Sequence, residues 1–307
     1  MARPRHKDIK PRVLTTRLLD RWPLPQPGED DDKEDRGRVL IVGGSREMPG
    51  AVILAATAAL RAGAGKLRIA TPRSIAPLVA SEVPEARVFA LPETKSGIID
   101  PRAAKAVAER AERVQAVLVG PGLIDDRAVA QLMRSLTARI TRAVLVVDAT
   151  ALFFLARSGQ ALHGLESRAI LTPHAAEMGK MLGADEAAIK GEPMLAAQRA
   201  AETFQAVVVL KGRHTLIAQP GGDMFCNRTG NVGLATSGSG DVLAGIIAGL
   251  AARGAEPVQA AAWAVYLHGR AGDNLAKRIG KLGYLARELL DEVAPVMNAF
   301  DRRKKED

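Results

Sequence analysis

Residues 235–245 read ATSGSGDVLAG. Gly238 and Gly240 let backbone N–H groups converge without side-chain obstruction. The apolar run from Val242 reads as a helix whose positive end faces the same point. Gly238, Ser239 and Gly240 therefore make an anion hole suited to a transferring phosphoryl group, with Asp241 beside it in the first helical turn. A carboxylate there can accept the proton of a hydroxyl that attacks phosphorus. Asp is also a favoured N-cap, but a cap does not need the flanking glycines, and these favour the chemical role. The field of the helix end is expected to keep Asp241 ionised at neutral pH.

Other chemistry-bearing residues follow short β-branched runs. RVLIV (38–42) leads into GGSREMPGA, AVLVG (116–120) into PG, AVLVVD (143–148) ends in Asp148, RAILT (168–172) leads into PHAAE, and AVVVLK (206–211) into GRHT. Open parallel sheets bind ligands outside the carboxyl ends of their strands, so glycines, His174, Lys211 and several acids are offered to one crevice. Familiar alternatives fail. GGSREMPGA lacks the G-x-G-x-x-G order of a dinucleotide site, and AGAGKL ends in Gly-Lys-Leu rather than the Gly-Lys-Ser/Thr of a P-loop. There is no H-E-x-x-H or paired Cys/His spacing for zinc and no G-x-S-x-G elbow.

These ends must be placed by a scaffold. KLRIA (66–70) completes a set of six runs that alternate with alanine-rich amphipathic segments at 50–62, 100–113, 126–139, 174–182, 185–204, 240–254, 257–277 and 283–299. That alternation predicts an α/β fold with a doubly wound, mostly parallel sheet and helices on both faces. TLIAQ (215–219) and DMFCN (223–227), joined through PGG, read as a hairpin. Residues 1–37 contain the proline- and acid-rich stretch LPQPGEDDDKEDRG and are expected to be a peripheral segment, although RWPL (21–24) offers packing groups. Residues 38–299 form a single catalytic domain, and 300–307 a charged tail.

Composition narrows the class. Hydrophobic residues make up 47% and charged residues 25% of 307, an ordinary globular balance. The longest uninterrupted apolar run, Val242–Ala252, is too short to span a bilayer. The basic N-terminus has no apolar region after it, so no secretory signal is expected. Cys226, the single cysteine, suits a reducing compartment and a cytoplasmic location. The net charge of +9 is compatible with nucleic acid, but two Trp, two Tyr and six Phe offer little stacking surface, and much of the excess lies in two tails. A phosphate-bearing small ligand accounts for the charge as well, and neither nucleic acid nor a membrane is expected as a partner.

Taken in order, GGSREMPGA (43–51), LRAGAGKLRIATP (60–72), VGPG (119–122), VVDATAL (146–152), LTPHAAEM (171–178), VVLKGRHTLIA (208–218), NRTGNVGLATSGSGDVLAGIIAGL (227–250) and AVYLHGRAGD (264–273) resemble the ADP/ATP-dependent NAD(P)H-hydrate dehydratases of the ribokinase-like superfamily. The resemblance runs from residue 37 to about 277. It implies contacts to hydrated NAD(P)H at Ala51, Gly122, His174 and Asp241. It implies contacts to an adenine nucleotide at Lys211, Gly212, Arg213, His214, Thr215 and Gly240. ADP or ATP would be the phosphoryl donor and Mg²⁺ the accompanying metal, with no ligands assigned; Glu177 and Asp148 are the acids on offer. Thr150 stands where the family has Asp, and Ser237 and Ser239 stand where it often has Gly and Thr. The family's epimerase domain does not fit in residues 1–37, so a separate epimerase is expected alongside. Homo-oligomers are implied as well, with the alanine-rich faces of 50–62 and 185–204 available for packing between subunits.

The implied reaction phosphorylates the C6 hydroxyl of the hydrated nicotinamide and then eliminates phosphate. It requires a base, for which Asp241 fits, and an anion hole. The alternative is a true kinase of the same fold acting on a vitamin precursor or sugar, which would share the Gly-rich loop and the base.

Overall fold

In the computed structural model, which describes residues 10–306 apart from 29, 31 and 125, ten strands form one sheet. From one edge to the other the strands span residues 86–91, 66–72, 38–42, 116–119, 144–147, 169–171, 207–210, 215–218, 224–227 and 12–13. The parallel body comprises β2 (Arg38–Val42), β3 (Lys66–Pro72), β4 (Ala86–Leu91), β5 (Ala116–Val119), β6 (Val144–Val147), β7 (Ala169–Leu171) and β8 (Val207–Leu210). Then β9 (Thr215–Ala218) and β10 (Met224–Asn227) form the expected antiparallel hairpin. Alternate side chains serve two cores, as a two-sided sheet demands: Val39 and Ile41 face one, Leu40 and Val42 the other.

The first core is covered by α2 (Pro49–Arg61), α3 (Ala76–Glu82), α9 (Ser239–Ala252), α10 (Pro257–Arg278) and α11 (Ala286–Glu306). The second is covered by α4 (Ala104–Ala111), α5 (Asp126–Thr137), α6 (Ala175–Leu182), α7 (Glu186–Gly191) and α8 (Pro193–Phe204). From β2 the chain steps outward through β3 and β4, then returns to place β5 on the other side of β2. The reversal opens a crevice between the carboxyl ends of β2 and β5, the switch point at which such sheets bind ligands.

Several expectations need correction. The N-terminal segment is not peripheral where it is described; its first nine residues lie outside the described ones. Here β1 (Arg12–Val13) pairs with β10, α1 (Thr16–Asp20) follows, and Leu14, Leu19 and Leu24 are buried in the first core. Trp22 stacks on Phe225 at 5.5 Å, and its carbonyl accepts from Trp263 Nε1 at 2.8 Å. The physical reason is the hairpin's open edge, which this segment covers. The 300–307 tail is not separate either. Residues 300–306 continue α11, residue 307 lies outside the described ones, and Phe300 is buried edge-on to Trp263 at 4.6 Å. The helix expected over 185–204 breaks into α7 and α8 because Pro193 cannot continue it. The edge strand β4 and helix α3 were not foreseen; β4 is half exposed and carries Arg87 over Phe89.

The alanine-rich faces do not wait for another subunit. On α2, Ala55, Ala58, Ala59 and Ala62 pack against α9 so closely that a Cβ on Gly245 would lie 2.2 Å from the Ala55 carbonyl oxygen. On α8, Ala196, Ala197, Ala200 and Ala201 are buried in the second core. Small residues here bring helices close within one chain and fix where α9 begins.

Candidate active site

At the switch point, Gly44 donates to the Pro121 carbonyl at 2.7 Å. Gly122 has φ +71°, and a Cβ there would lie 2.5 Å from the Met48 carbonyl oxygen and 3.2 Å from Ala51 Cβ. Ala51 and Gly122, expected from sequence as contacts to one ligand, therefore adjoin across the crevice.

Lys211 leaves β8 beside the start of α6, where its N–H donates to the Pro173 carbonyl at 2.8 Å. Its Nζ donates to Asp148 Oδ1 at 3.2 Å and lies 3.7 Å from Glu177 Oε2. Asp148 is buried and also accepts from the Thr172 hydroxyl at 2.5 Å. Glu177 Oε2 accepts from the His174 N–H at 2.8 Å, while His174 Nδ1 accepts from the Ala176 and Glu177 amides at 3.2 and 3.3 Å. This is a reciprocal capping box with His as the cap. Because Nδ1 accepts, the ring proton is placed on Nε2, which lies 3.5 Å from Glu177 Oε1 on a side chain 53% exposed. His174 and Lys211 are thus fixed as neighbours, a pairing that the position of each after a strand did not by itself give.

The opposite wall is the N-terminus of α9. Gly238 is its N-cap at φ +89°, a left-handed conformation that other residues rarely adopt. The helix starts at Ser239, two residues earlier than Asp241. This changes the anion hole: Ser239 directs its N–H to the Thr236 carbonyl at 3.3 Å, and its hydroxyl shares a hydrogen bond with His268 Nε2 at 3.0 Å. The first helical acceptor is taken by Val242, which donates to the Gly238 carbonyl. The amides of Gly240 and Asp241 are left at the helix end to face a ligand. Lys211 Nζ stands 3.6 Å from the point a Gly240 Cβ would occupy, so cation and amides converge.

Electrostatics correct a second expectation. Burial pushes the Asp241 carboxyl up from its ordinary 3.8 to about 7, with the Asp148 charge adding to the shift and Lys211 opposing it. Asp241 is therefore poised between its two forms near neutrality, not held fully ionised by the helix. For Lys211, burial acts to lower the ammonium, but the Asp148, Glu177 and Asp241 carboxylates outweigh it and the net shift is upward. His268 is pushed down to about 4, chiefly by burial.

Gly212, Arg213 and His214 lie exposed on the turn that joins Lys211 to β9, with Thr215 opening that strand. Sequence reasoning missed two groups: Asp148 as the anchor of Lys211, and His268 as the partner of Ser239. The signal for His268 lay in AVYLHGRAGD, a histidine directly after an apolar stretch of helix. Among the described residues no group of three His, Cys, Asp or Glu is arranged to hold a metal. Asp148 and Glu177 are engaged by Lys211. Mg²⁺ characteristically keeps waters and substrate phosphates as most of its ligands, so the acids fit it only as minor contributors beside a bound nucleotide.

The strand order and this site define a ribokinase-like protein, and a ribokinase-like superfamily protein from Enterococcus faecalis has the same architecture (TM-score 0.82, 27% identity, 96% of this chain and 99% of that one). The model of the NAD(P)H-hydrate dehydratase family matches residues 39–295, and the chain belongs to that family. It is 45% identical over 293 residues to the ADP-dependent (S)-NAD(P)H-hydrate dehydratase of Xanthomonas campestris, covering 95% of this chain and 98% of that one. The ADP/ATP-dependent NAD(P)H-hydrate dehydratase from Bacillus subtilis, co-crystallised with ATP/Mg²⁺, is similar at TM-score 0.77 and 30% identity, over 95% of this chain and 99% of that one.

The raised Asp241 carboxyl has a consequence for stability. Between its unfolded value of about 4 and its folded value of about 7, the folded state keeps a proton that the unfolded state has released. Its contribution is therefore present below about pH 4 and lost as pH rises toward 7. Asp241→Asn, which cannot titrate, should gain stability relative to wild type between about pH 5 and pH 8 in urea unfolding. A difference between the two proteins that stays constant over that range would show that the carboxyl is not shifted.

Proposed function

We propose that this chain is a nucleotide-dependent NAD(P)H-hydrate dehydratase, which restores NAD(P)H from its 6-hydroxy hydrate at the expense of ADP or ATP. The observation that carries the reading is the meeting of Asp241, Lys211 Nζ and the free amides of α9 at one edge of the switch-point crevice. Hydroxide is a poor leaving group, and phosphorylation makes it a good one. Asp241 takes the proton of the C6 hydroxyl as its oxygen bonds to the terminal phosphorus of the donor and the donor's bridging P–O bond breaks. The Gly240 and Asp241 amides and Lys211 stabilise charge on the moving phosphoryl group. The C–O bond then breaks under the push of the ring nitrogen lone pair. Phosphate leaves and a C5 proton is lost, restoring the double bond.

A carboxyl near 7 suits a group that must accept a proton at neutral pH. Mg²⁺, when bound with the nucleotide, supplies charge neutralisation on the donor phosphates. In this reading Ala51, Gly122 and His174 hold the hydrated nicotinamide cofactor, with the His174 Nε2–H as donor. Lys211–Thr215 and Gly240 hold the adenine nucleotide.

The same reading places the protein in the cytoplasm, in an assembly of identical subunits, beside a separate epimerase that supplies the usable epimer. Support for assembly comes from Val232, Ile279, Leu282 and Leu285, large apolar side chains left exposed near the loop before α9. Among the described residues no helix is long and apolar enough to cross a membrane.

Products test the reading. Hydrated NADH with Mg²⁺ and ADP or ATP should yield inorganic phosphate and NAD(P)H absorbance in equal amounts. A stable phosphomonoester on another acceptor, with no NADH regained, would instead identify a kinase. The nucleotide turn is tested separately. A Cβ on exposed Gly212 would meet nothing closer than the His214 carbonyl oxygen at 3.5 Å, so the fold itself accepts a side chain there. Gly212→Val should raise the nucleotide KM on the order of tenfold or more, the scale of a lost close approach, at unchanged Tm. A lowered Tm with normal KM would remove Gly212 from the site.

A further inference from the structure

The segment HGRAGD (268–273) of α10 takes no part in the chemistry above, yet it touches the loop that delivers Asp241 at successive points. Asp273 Oδ2 accepts from the Gly230 N–H at 3.1 Å, and Asn231 Nδ2 donates to the Gly272 carbonyl at 2.9 Å. A Cβ on Gly269 would lie 2.2 Å from Thr229 Oγ1, and one on Gly272 would lie 2.7 Å from Leu234 Cδ2. The last fastening before the helix is His268, whose Nε2 lies 3.0 Å from Ser239 Oγ, both groups buried. Residues 229–239 are thus held along one face of α10, and the final contact grips the first residue of α9.

We infer that His268 is a positioning residue for phosphoryl transfer, which acts through Ser239 to hold the first turn of α9 and so the aim of the Gly240 and Asp241 amides and the Asp241 carboxylate. The inference rests on the dehydratase reading for its kinetic expectation, but its geometric content stands apart from it. A serine in the first turn of a helix has an alternative. Its hydroxyl can turn back onto a nearby backbone carbonyl, which competes with regular helix geometry. Ser239 is buried, so without His268 its hydroxyl must take that option or stay unpaired at a cost. Either outcome shifts the turn from which two ligand-facing amides and the base project, and small displacements at a reacting centre are costly in rate. His268 does this without bringing charge to the site: burial disfavours its protonated form and outweighs the opposing effect of a hydrogen bond to the Ser239 backbone, while the nearby Lys211 charge acts in the same direction as burial. The contact therefore stays a neutral hydrogen bond beside a group that binds phosphate.

The test compares His268→Leu, which removes the hydrogen bond, with His268→Gln, whose amide can reach Ser239 from a similar distance. Ser239→Ala and the Ser239→Ala/His268→Leu double variant complete the cycle. His268→Leu should lower kcat on the order of 10-fold to 10²-fold, the scale of a misplaced catalytic geometry, with the KM for hydrated cofactor little changed. His268→Gln should recover most of the loss. The double variant should be no slower than the slower single one, because both act through one contact. If His268→Leu is too unstable to assay, Ser239→Ala alone should show the same kcat loss in a folded protein. Hydrogen exchange provides a readout free of turnover: the Gly240 and Asp241 amides should exchange faster in His268→Leu and return toward wild type in His268→Gln. Wild-type kcat in His268→Leu or in Ser239→Ala, or losses that add in the double variant, would overturn the inference. So would unchanged exchange at Gly240 and Asp241. If the wild type itself fails to dehydrate the hydrate, the functional reading falls, while the exchange comparison still decides whether His268 positions the turn.

Discussion

One half-buried cation orders this site. Lys211 Nζ sits between Asp148 at 3.2 Å and Glu177 at 3.7 Å, with the Asp241 charge also acting on it. Three acids around one ammonium leave an excess of negative charge in a place with little water, and something must give. Asp148 is held by Thr172 and Lys211, and Glu177 by the His174 amide and Lys211. Asp241 takes the strain: burial first and the Asp148 charge second raise its carboxyl to about 7, against the pull of Lys211. The arrangement that makes Asp241 a competent base is thus the same one that costs stability above neutral pH. A site that trades stability for a poised group is what catalysis by proton transfer requires.

The fold supplies this cluster from four separated stretches of chain. The end of β6 gives Asp148, the start of α6 gives His174 and Glu177, the end of β8 gives Lys211, and the start of α9 gives Asp241. Parallel order is what brings the strand ends to one edge of the sheet, and the reversal between β2 and β5 opens the crevice next to it. α9 can approach only because Gly245 and Gly249 let it lie directly on the backbone of α2. A larger residue at either point would move the helix whose N-terminus is half of the site.

Much of this was legible in the sequence. The βαβ alternation gave the parallel sheet and its two helical layers, and the placement of His174 and Lys211 after strands and of Asp241 at the start of a helix pointed to the edge of the sheet where these three lie. What escaped has physical reasons. The strand and helix of residues 12–24 are only two and five residues long, too short to show a period, and their burial depends on a hairpin edge that forms about 200 residues later. Ser239 was assigned to the anion hole because small residues before a helix look alike. Only the fold shows that its N–H and hydroxyl are spent on Thr236 and His268. The expectation of an ionised Asp241 weighed the helix end alone, whereas burial and the charge of Asp148, 93 residues away in sequence, prevail.

The central claim is that Asp241 removes the hydroxyl proton. It is tested most directly by turnover of Asp241→Asn as a function of pH. Asn preserves shape and caps helices as well as Asp, so the variant should fold and bind ADP. Wild-type kcat/KM, which reports the ionisation of the free enzyme, should rise through a limb near pH 7, the value to which the carboxyl is pushed. Asp241→Asn should lack that limb and turn over on the order of 10²-fold more slowly or less, the usual scale for a positioned base. Near-normal turnover with the limb retained, in a folded and ADP-binding variant, would contradict the account and assign the proton to another group.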